Sequence, residues 1–239
     1  MQIKDIAIII QKRPLKEKSA IITVFTKNHG LYAGVVRDVT GKMSAIYQPG
    51  NVVDFTWNAR LDEHIGTTKC ELLSSNVHFM QNKSKLYALS SILSVTLASL
   101  RERSNHNHFF MHLEDYIARG SEPFSFMDYA YLENALLTET GYGLDLGSCA
   151  VNGSTSDLAY VSPKSGRAVS RTAGEAYKDK LLKLPECFLN ATEPKTSEDF
   201  GQVLDLLLYF FQRYIFGKNE PLPRKIFAEH VSKDGSKNI

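Results

Sequence analysis

Apolar and polar positions alternate along the first third of the chain. Ile6, Ile8 and Ile10 interleave with Ala7, Ile9 and Gln11, and Ala20 to Thr26 is a β-branched and aromatic run, a strand pattern rather than a helical one. Asn28-His29-Gly30 is a turn signal leading into a further strand over Leu31 to Val39, which completes a hairpin. Gly41-Lys42-Met43-Ser44 opens a longer loop that closes at Gln48-Pro49-Gly50. From Asn51 to Arg60, Val53, Phe55, Trp57 and Ala59 share one face, and a last strand is predicted over Gly66 to Ser74. Five short strands within about 80 residues favour a small closed barrel, which leaves no sheet edge exposed.

Beyond residue 83 the period lengthens. Leu86, Leu89, Leu93, Leu97 and Leu100 follow helical spacing, as do Phe109, Leu113, Tyr116 and Ile117. A third helix is predicted over Phe126 to Thr140, stopped by Gly141. Thr196-Ser197-Glu198-Asp199 is a helix start, with a hydroxyl cap and carboxylates in the first turn. Pro221 and Pro223 separate that helix from a short terminal one near Arg224 to Val231. Residues 141–175 are rich in Gly, Ser and Thr and read as an irregular insertion. The expected fold is thus α+β: a five-stranded barrel over 1–82, then a helical domain over 83–239 that carries the insertion.

Composition adds little until the charges are separated. The chain has 239 residues, 43% of them hydrophobic, which is enough to bury a proper core. The apolar run Ile6 to Ile10 is too short for the core of a signal peptide, and no run approaches the roughly 18 apolar residues of a membrane helix. Three widely spaced cysteines, Cys70, Cys149 and Cys187, argue against a disulfide framework and for a reducing, cytoplasmic setting. The net charge of +2 conceals a +5 over residues 1–85, a −5 over 86–200 and a +2 over 201–239. A basic amino-terminal third followed by an acidic middle points to two surfaces with different partners.

Several chemistries lack their motifs. The chain contains no Gly-x4-Gly-Lys-Ser/Thr, no Gly-x-Ser-x-Gly and no His-Glu-x-x-His. Gly141-Tyr142-Gly143-Leu-Asp-Leu-Gly147 has the wrong last spacing for a dinucleotide fingerprint and follows a helix, not a strand. Cys149 meets Asn152 where a CxxC pair would place its second thiol, so a thiolate zinc site is not expected. His106, His108 and His112 are spaced to hold a metal ion, or else form a polar lead into a helix. No cofactor and no enzymatic activity are expected.

Basic and aromatic side chains are interleaved in the barrel. Lys12, Arg13, Lys16 and Lys18 place four cations within seven residues at a strand end and loop, suited to phosphate contacts. Lys27, Arg37, Lys42 and Arg60 extend the cationic set. Rings among such cations can stack unpaired bases. Phe55 and Trp57 share a face with Val53 and read as core, which leaves Tyr32 and Tyr47 as the stacking candidates.

A set of ordered segments carries a resemblance. Ser19-Ala-Ile-Ile-Thr-Val-Phe-Thr26, His29-Gly30, Lys42-x-Ser44, Gln48-Pro49-Gly50 and Trp57-Asn-Ala-Arg-Leu61 resemble the amino-terminal barrel of the RecO recombination-repair proteins. Gly141-Tyr-Gly-Leu-Asp-Leu146, Cys149-Ala-Val151, Val161-Ser-Pro-Lys-Ser-Gly-Arg-Ala-Val169, Leu181-Leu-Lys-Leu-Pro185 and Pro223-Arg224 are similar to its second half. The resemblance implies an OB-fold barrel that binds single- and double-stranded DNA, and the barrel's own cations and ring, Lys12, Arg13, Lys16, Lys18, Lys27, Tyr32, Arg37, Lys42 and Arg60, are the expected contact residues. It implies annealing of complementary strands without ATP, and loading of RecA, together with RecR, onto DNA coated by single-stranded-DNA-binding protein. The acidic tail of that coating protein would dock on the helical domain, where Arg119, Arg213 and the Arg224-Lys225 pair are candidate rims. Location would be the bacterial cytoplasm, at the nucleoid. Many members carry a four-cysteine zinc module where this chain keeps only Cys149, so the metal is not carried over.

Two alternatives stand beside this reading: an RNA- or ribosome-associated OB-fold factor, and a hydrolase using a metal held by the three histidines. Competition between RNA and DNA of one sequence separates the first from a DNA repair protein. The DNA reading expects the DNA strand to displace the RNA, and preferential retention of RNA would reverse it.

Overall fold

A computed structural model of the protein describes residues 1–61 and 64–234, with Lys42 and Asp234 described by their backbone alone. The chain forms two compact units, Met1–Pro123 and Phe124–Ile239. Among the described residues no helix is long and apolar enough to cross a membrane.

The first unit is built on strands β1 (Gln2–Lys16), β2 (Ser19–Thr26) and β3 (Gly30–Val36), helix α1 (Gly41–Ile46), and strands β4 (Val52–Asn58) and β5 (Gly66–Ser74). They close into a barrel in the order β1-β2-β3-β5-β4, an OB-fold. The seam is the short parallel pairing of Gly34 with Gly66 and Val35 with Thr67. Both glycines are there for space. A Cβ on Gly66 would overlap the Trp57 indole, and one on Gly34 would meet the Thr68 Cβ at 2.9 Å. Trp57, fully buried, donates its Nε1–H to the Ala33 carbonyl at 3.1 Å and so fixes the ring against β3.

Inward-facing Ile3, Ala7, Ile9, Ile22, Val24, Val53, Phe55 and Cys70 fill the interior around that indole, as the alternation predicts. Two expectations change. The loop from Gly41 begins with α1 instead of irregular chain, and Ile46 and Tyr47 bring apolar surface from that connection to the core. The third strand ends at Val36, short of Val39, because the Asp38 carboxylate accepts hydrogen bonds from the Thr40 N–H and hydroxyl and turns the chain.

Helices α2 (Lys83–Ser99) and α3 (Asn107–Ala118) complete this unit. Asn82 caps α2 by accepting from the Lys85 N–H at 3.0 Å. A bulge between Ile9 and Gln11 shifts the register of β1, and Ile8 is buried along with Ile10. α2 packs against β1, and Phe25 packs against Phe109 and Phe110 of α3 with ring centroids 6.1 and 5.4 Å apart. These contacts explain why the compact unit runs to Pro123, beyond the change of period near residue 83. Leu86, expected on the buried stripe, is 36% exposed.

The second unit begins with α4 (Phe126–Glu139), capped by Ser125. The glycine-rich segment is more regular than predicted. It contains β6 (Leu158–Val161), β7 (Ala168–Ser170) and α5 (Arg171–Gly174), and β8 (Leu182–Lys183) follows to give an antiparallel sheet in the order β7-β6-β8. The short α6 (Glu186–Leu189) precedes α7 (Ser197–Phe211), which opens with the predicted cap: Thr196 and Asp199 form a capping box. The last helix, α8 (Leu222–Asp234), is longer than its predicted Arg224–Val231 core.

Aromatic rings knit α4, α7 and α8 together: Phe126 lies 4.7 Å from Phe200, and Tyr129 lies 4.3 Å from Phe227. Beside them sits a buried charge network. Arg224 of α8 donates to both carboxylate oxygens of Glu133 of α4, at 2.8 and 2.9 Å, to Glu220 at 2.8 Å and to the Leu204 carbonyl of α7 at 3.1 Å. Tyr129 donates its hydroxyl to the same glutamate. Burial alone would favour the neutral arginine, but Glu133 holds it protonated, above its usual range. Arg224 is fully buried, so the expectation that it rims a surface groove is corrected: its charge is consumed inside the helical core.

Cys149 is buried in the loop before β6. Its sulfur accepts hydrogen bonds from the Ser170 N–H at 3.2 Å and the Val151 N–H at 3.5 Å. Asn152 contributes its backbone N–H to the same sulfur and donates its side-chain amide to the Ser170 hydroxyl at 3.4 Å. Burial raises the thiol's pKa, but these hydrogen bonds outweigh it and bring the value from 9.0 down to about 7.

Two predictions follow from these networks. Arg224→Met should lower the unfolding free energy by about 3–5 kcal/mol, because it leaves Glu133 buried and unpaired, and adding Glu133→Leu should restore much of that loss in urea titrations. If the double variant is no more stable than the single one, the uncompensated charge is not the cause. For Cys149 the folded pKa lies below the unfolded one. Its contribution to stability is therefore full above pH 9 and fades as pH falls through about 7. Relative to Cys149→Ala, the unaltered chain should lose stability between those two pH values, and parallel curves would contradict the assignment.

Candidate nucleic-acid interface

The register of the barrel gathers cations that the sequence separates. Pro14 pairs with Ala20 and Ala20 with Val36, so the end of β1, the start of β2 and the end of β3 lie side by side. The Val39 N–H donates to the Lys18 carbonyl at 3.1 Å and ties the connection after β3 to the β1–β2 turn. Arg13, Lys16, Lys18 and Arg37 are all exposed at this end of the barrel. Lys12 is half-buried and donates Nζ–H to the Ser44 hydroxyl of α1 at 3.0 Å, so it braces α1 as well as carrying charge. Lys42 lies on α1, and its side chain is outside the described residues. Acid is present here too: Asp38 is held below the usual carboxylate range, first by the Thr40 hydrogen bonds and further by Lys18.

Next to this cationic end, the sheet offers a shallow face. Arg13, Ile21 and Val35 form one cross-strand row and Gln11, Thr23 and Ala33 the next, on the opposite side of the sheet from the interior row of Ile22 and Gly34. Ile21, Val35 and Ala33 are short and half-buried, while Thr23 is only 6% exposed, so an extended backbone can approach along the first row, where the cations flank it.

The other expected residues fall elsewhere. Lys27 follows the far end of β2, where its N–H donates to the Ile6 carbonyl at 2.9 Å and its own carbonyl accepts from Asn107 at 3.0 Å. Arg60 follows β4, whose Asn58 pairs with Gln2 at the opposite end of β1 from Lys16. Tyr32 and Tyr47 do not present their rings to solvent. Tyr32 is 7% exposed, inside the barrel against Trp57 with ring centroids 5.3 Å apart, and Tyr47 is 1% exposed. Position along the strand explains the correction: Tyr32 alternates with Leu31 and Ala33 and falls on the interior face, while α1 carries the Tyr47 ring inward.

Arg101 and Arg103 lie in the polar lead into α3 and are not among the expected site residues. The connection between α2 and α3 instead lies along the barrel, with Glu102 bridging to Leu31 and the Arg103 N–H donating to the Leu31 carbonyl at 3.1 Å. The Arg103 guanidinium sits 5.4 Å from the Tyr32 ring centre and 5.6 Å from that of Trp57. Gly30 makes this crossing possible, since a Cβ there would overlap the Ser104 carbonyl and its φ is +77°. No local pattern marks such a contact. With the unit extended to Pro123, residues 1–123 hold 15 Lys/Arg against 11 Asp/Glu, a net of +4, and residues 124–239 hold 13 against 15, a net of −2.

Among the described residues, no three His, Cys, Asp or Glu side chains converge to hold a metal ion. The His108 and His112 rings meet edge to face with centroids 4.9 Å apart. Around Cys149, one thiol with amide and hydroxyl neighbours is not the donor set of a tetrahedral zinc site.

Comparison with known proteins agrees with this architecture. Residues 1–76 match the family profile described as recombination protein O N terminal, and residues 80–222 match recombination protein O C terminal. A DNA repair protein RecO from Rickettsia bellii (strain OSU 85-389) is 52% identical over 233 residues, covering 97% of each chain. Its counterpart from Rickettsia akari (strain Hartford) is 49% identical over 237 residues, covering 98% of this chain and all of that one. With both domain profiles matched in order and relatives about half identical along nearly the full length, the chain belongs to the RecO family of DNA repair proteins.

Proposed function

We propose that this protein is an ATP-independent strand annealer and recombination mediator that binds DNA through the cationic end and shallow face of its barrel. The observation that carries the reading is the convergence of Arg13, Lys16, Lys18 and Arg37 beside the short side chains of Ile21 on β2 and Val35 on β3. Annealing needs no covalent chemistry. Two polyanions repel each other, and a cationic surface lowers that repulsion and raises their local concentration. Phosphate contacts that are individually weak and salt-sensitive then let the strands slide into register.

The same reading has the protein acting without enzymatic turnover, at the bacterial nucleoid. RecR and single-stranded-DNA-binding protein are its partners, and RecA is loaded as the outcome. A coating protein is displaced most readily by a factor that holds both it and the strand, and the more acidic second unit leaves the barrel as the main phosphate-binding part.

The test spares Lys12, whose bond to Ser44 supports α1. Arg13→Gln, Lys16→Gln and Lys18→Gln combined should flatten the slope of log affinity for single-stranded DNA against log salt by about 2, with annealing slowed in parallel and the fold unchanged. An unaltered slope together with unaltered annealing would remove the barrel end from the site.

A further inference from the structure

The segment Gly141-Tyr142-Gly143, rejected above as a nucleotide fingerprint, has a different role in the second unit. Gly141 ends α4 in a left-handed turn with φ +88°. Its N–H donates to the Thr138 carbonyl at 3.0 Å, and the Tyr142 N–H donates to the Leu137 carbonyl at 2.7 Å. This is the paired closure of a Schellman turn. Gly143 then passes so close to Thr138 that a Cβ would overlap its hydroxyl. The two glycines therefore hold the backbone of Tyr142 in one place.

The ring of Tyr142 is the outermost member of a stack. Phe210 is buried in α7, and Tyr214 lies over it with centroids 6.4 Å apart and planes 19° from parallel. Tyr142 lies on Tyr214 at 4.2 Å and within 5° of parallel, and is itself 38% exposed. Tyr214 is presented by a π-helical turn, Gln212–Phe216, a rare geometry that recurs at functional sites. The same turn carries Arg213. Its guanidinium sits 5.4 Å from the Tyr214 ring centre and donates to the Tyr214 hydroxyl at 3.0 Å and the Tyr209 hydroxyl at 3.1 Å. The Tyr214 hydroxyl donates in turn to the Lys164 carbonyl at 3.3 Å and fixes the loop that bears this exposed lysine. Core packing accounts for Phe210 and Tyr214. It does not account for a flat, pre-positioned ring at the surface, stacked on a second ring that holds a cation at its edge.

We infer that Tyr142, stacked on a tyrosine whose edge carries Arg213 and whose hydroxyl holds the Lys164 loop, is a platform on which a base of single-stranded DNA stacks while its phosphates meet the two cations. The inference rests on the reading that the protein binds DNA, and it extends that reading to a second surface. Aromatic faces bind unpaired bases with little sequence preference, because every base has a face to offer. In a duplex those faces are already covered by neighbouring bases, so the platform favours single strands. Arg213 suits the phosphate, since its planar fork is already oriented by two tyrosine hydroxyls. Two acids lie three positions from Tyr142, Glu139 at the end of α4 and Asp145, and the second is paired with Arg167 at 3.3 Å.

The test uses the full-length chain, oligo-dT and a duplex of mixed sequence. Tyr142→Ser should weaken oligo-dT binding by about fivefold to tenfold and leave duplex binding unchanged. Tyr142→Trp should retain affinity, and its fluorescence, measured above that of the buried Trp57, should be quenched by oligo-dT. Equal losses for duplex and oligo-dT, or an unquenched tryptophan at 142, would overturn the platform. If Tyr142→Ser binds normally while the Arg13, Lys16 and Lys18 variant does not, DNA binding belongs to the barrel alone and this surface is left to a protein partner. A chain that binds neither DNA removes both readings together.

Discussion

Closure of the barrel depends on how near two backbones can come to one indole. The β3–β5 seam has only two paired positions, and it forms because Gly34 and Gly66 leave room for Trp57 between them. With the seam closed, every strand has two neighbours and the interior is filled without an exposed edge. The placement of function rests on the neighbouring pairings: β2 lies between β1 and β3, so cations separated by more than twenty positions in sequence share one surface. A bulkier residue at the seam would open the barrel on the far side of β3 and expose the interior packed around Trp57.

The parts legible in sequence were those governed by short-range periodicity. The barrel strands, the cap at Thr196 and the stop at Gly141 could be read because each rests on alternation or on one residue's backbone preference. Positions decided by long-range packing could not. Tyr32 looked exposed among polar neighbours, but strand parity turned its ring inward. Arg224 looked like a surface cation, and only the meeting of α8 with α4 reveals that Glu133 awaits it in the core. Arg103 sits between two helices in sequence and lies on the barrel in space. The change from strand to helix near residue 83 lies close to where the two family profiles meet, between residues 76 and 80, and packing against the barrel continues past it to Pro123.

The two units hold their charges differently, and this bears on what each can bind. In the first, exposed cations stand around a shallow sheet face, an arrangement suited to polyanions that must remain free to slide. In the second, acids outnumber bases, and much of the basic charge is engaged: Arg224 inside the core, Arg167 with Asp145, Arg171 with Asp157. What remains at the end of α7 is organised around rings rather than around net charge.

The Arg224–Glu133 pair also carries information of a kind that oily contacts do not. Greasy surfaces forgive sliding, since one methyl group packs much as another does. A two-pronged ion pair in a dry interior does not: displacing α8 by one helical turn, about 5.4 Å, would leave an arginine and a glutamate each facing hydrocarbon. Docking of the terminal helix is therefore all-or-none in alignment. The pair works as a key cut for one position, and the chain's last helix either finds that notch or fails to seat at all.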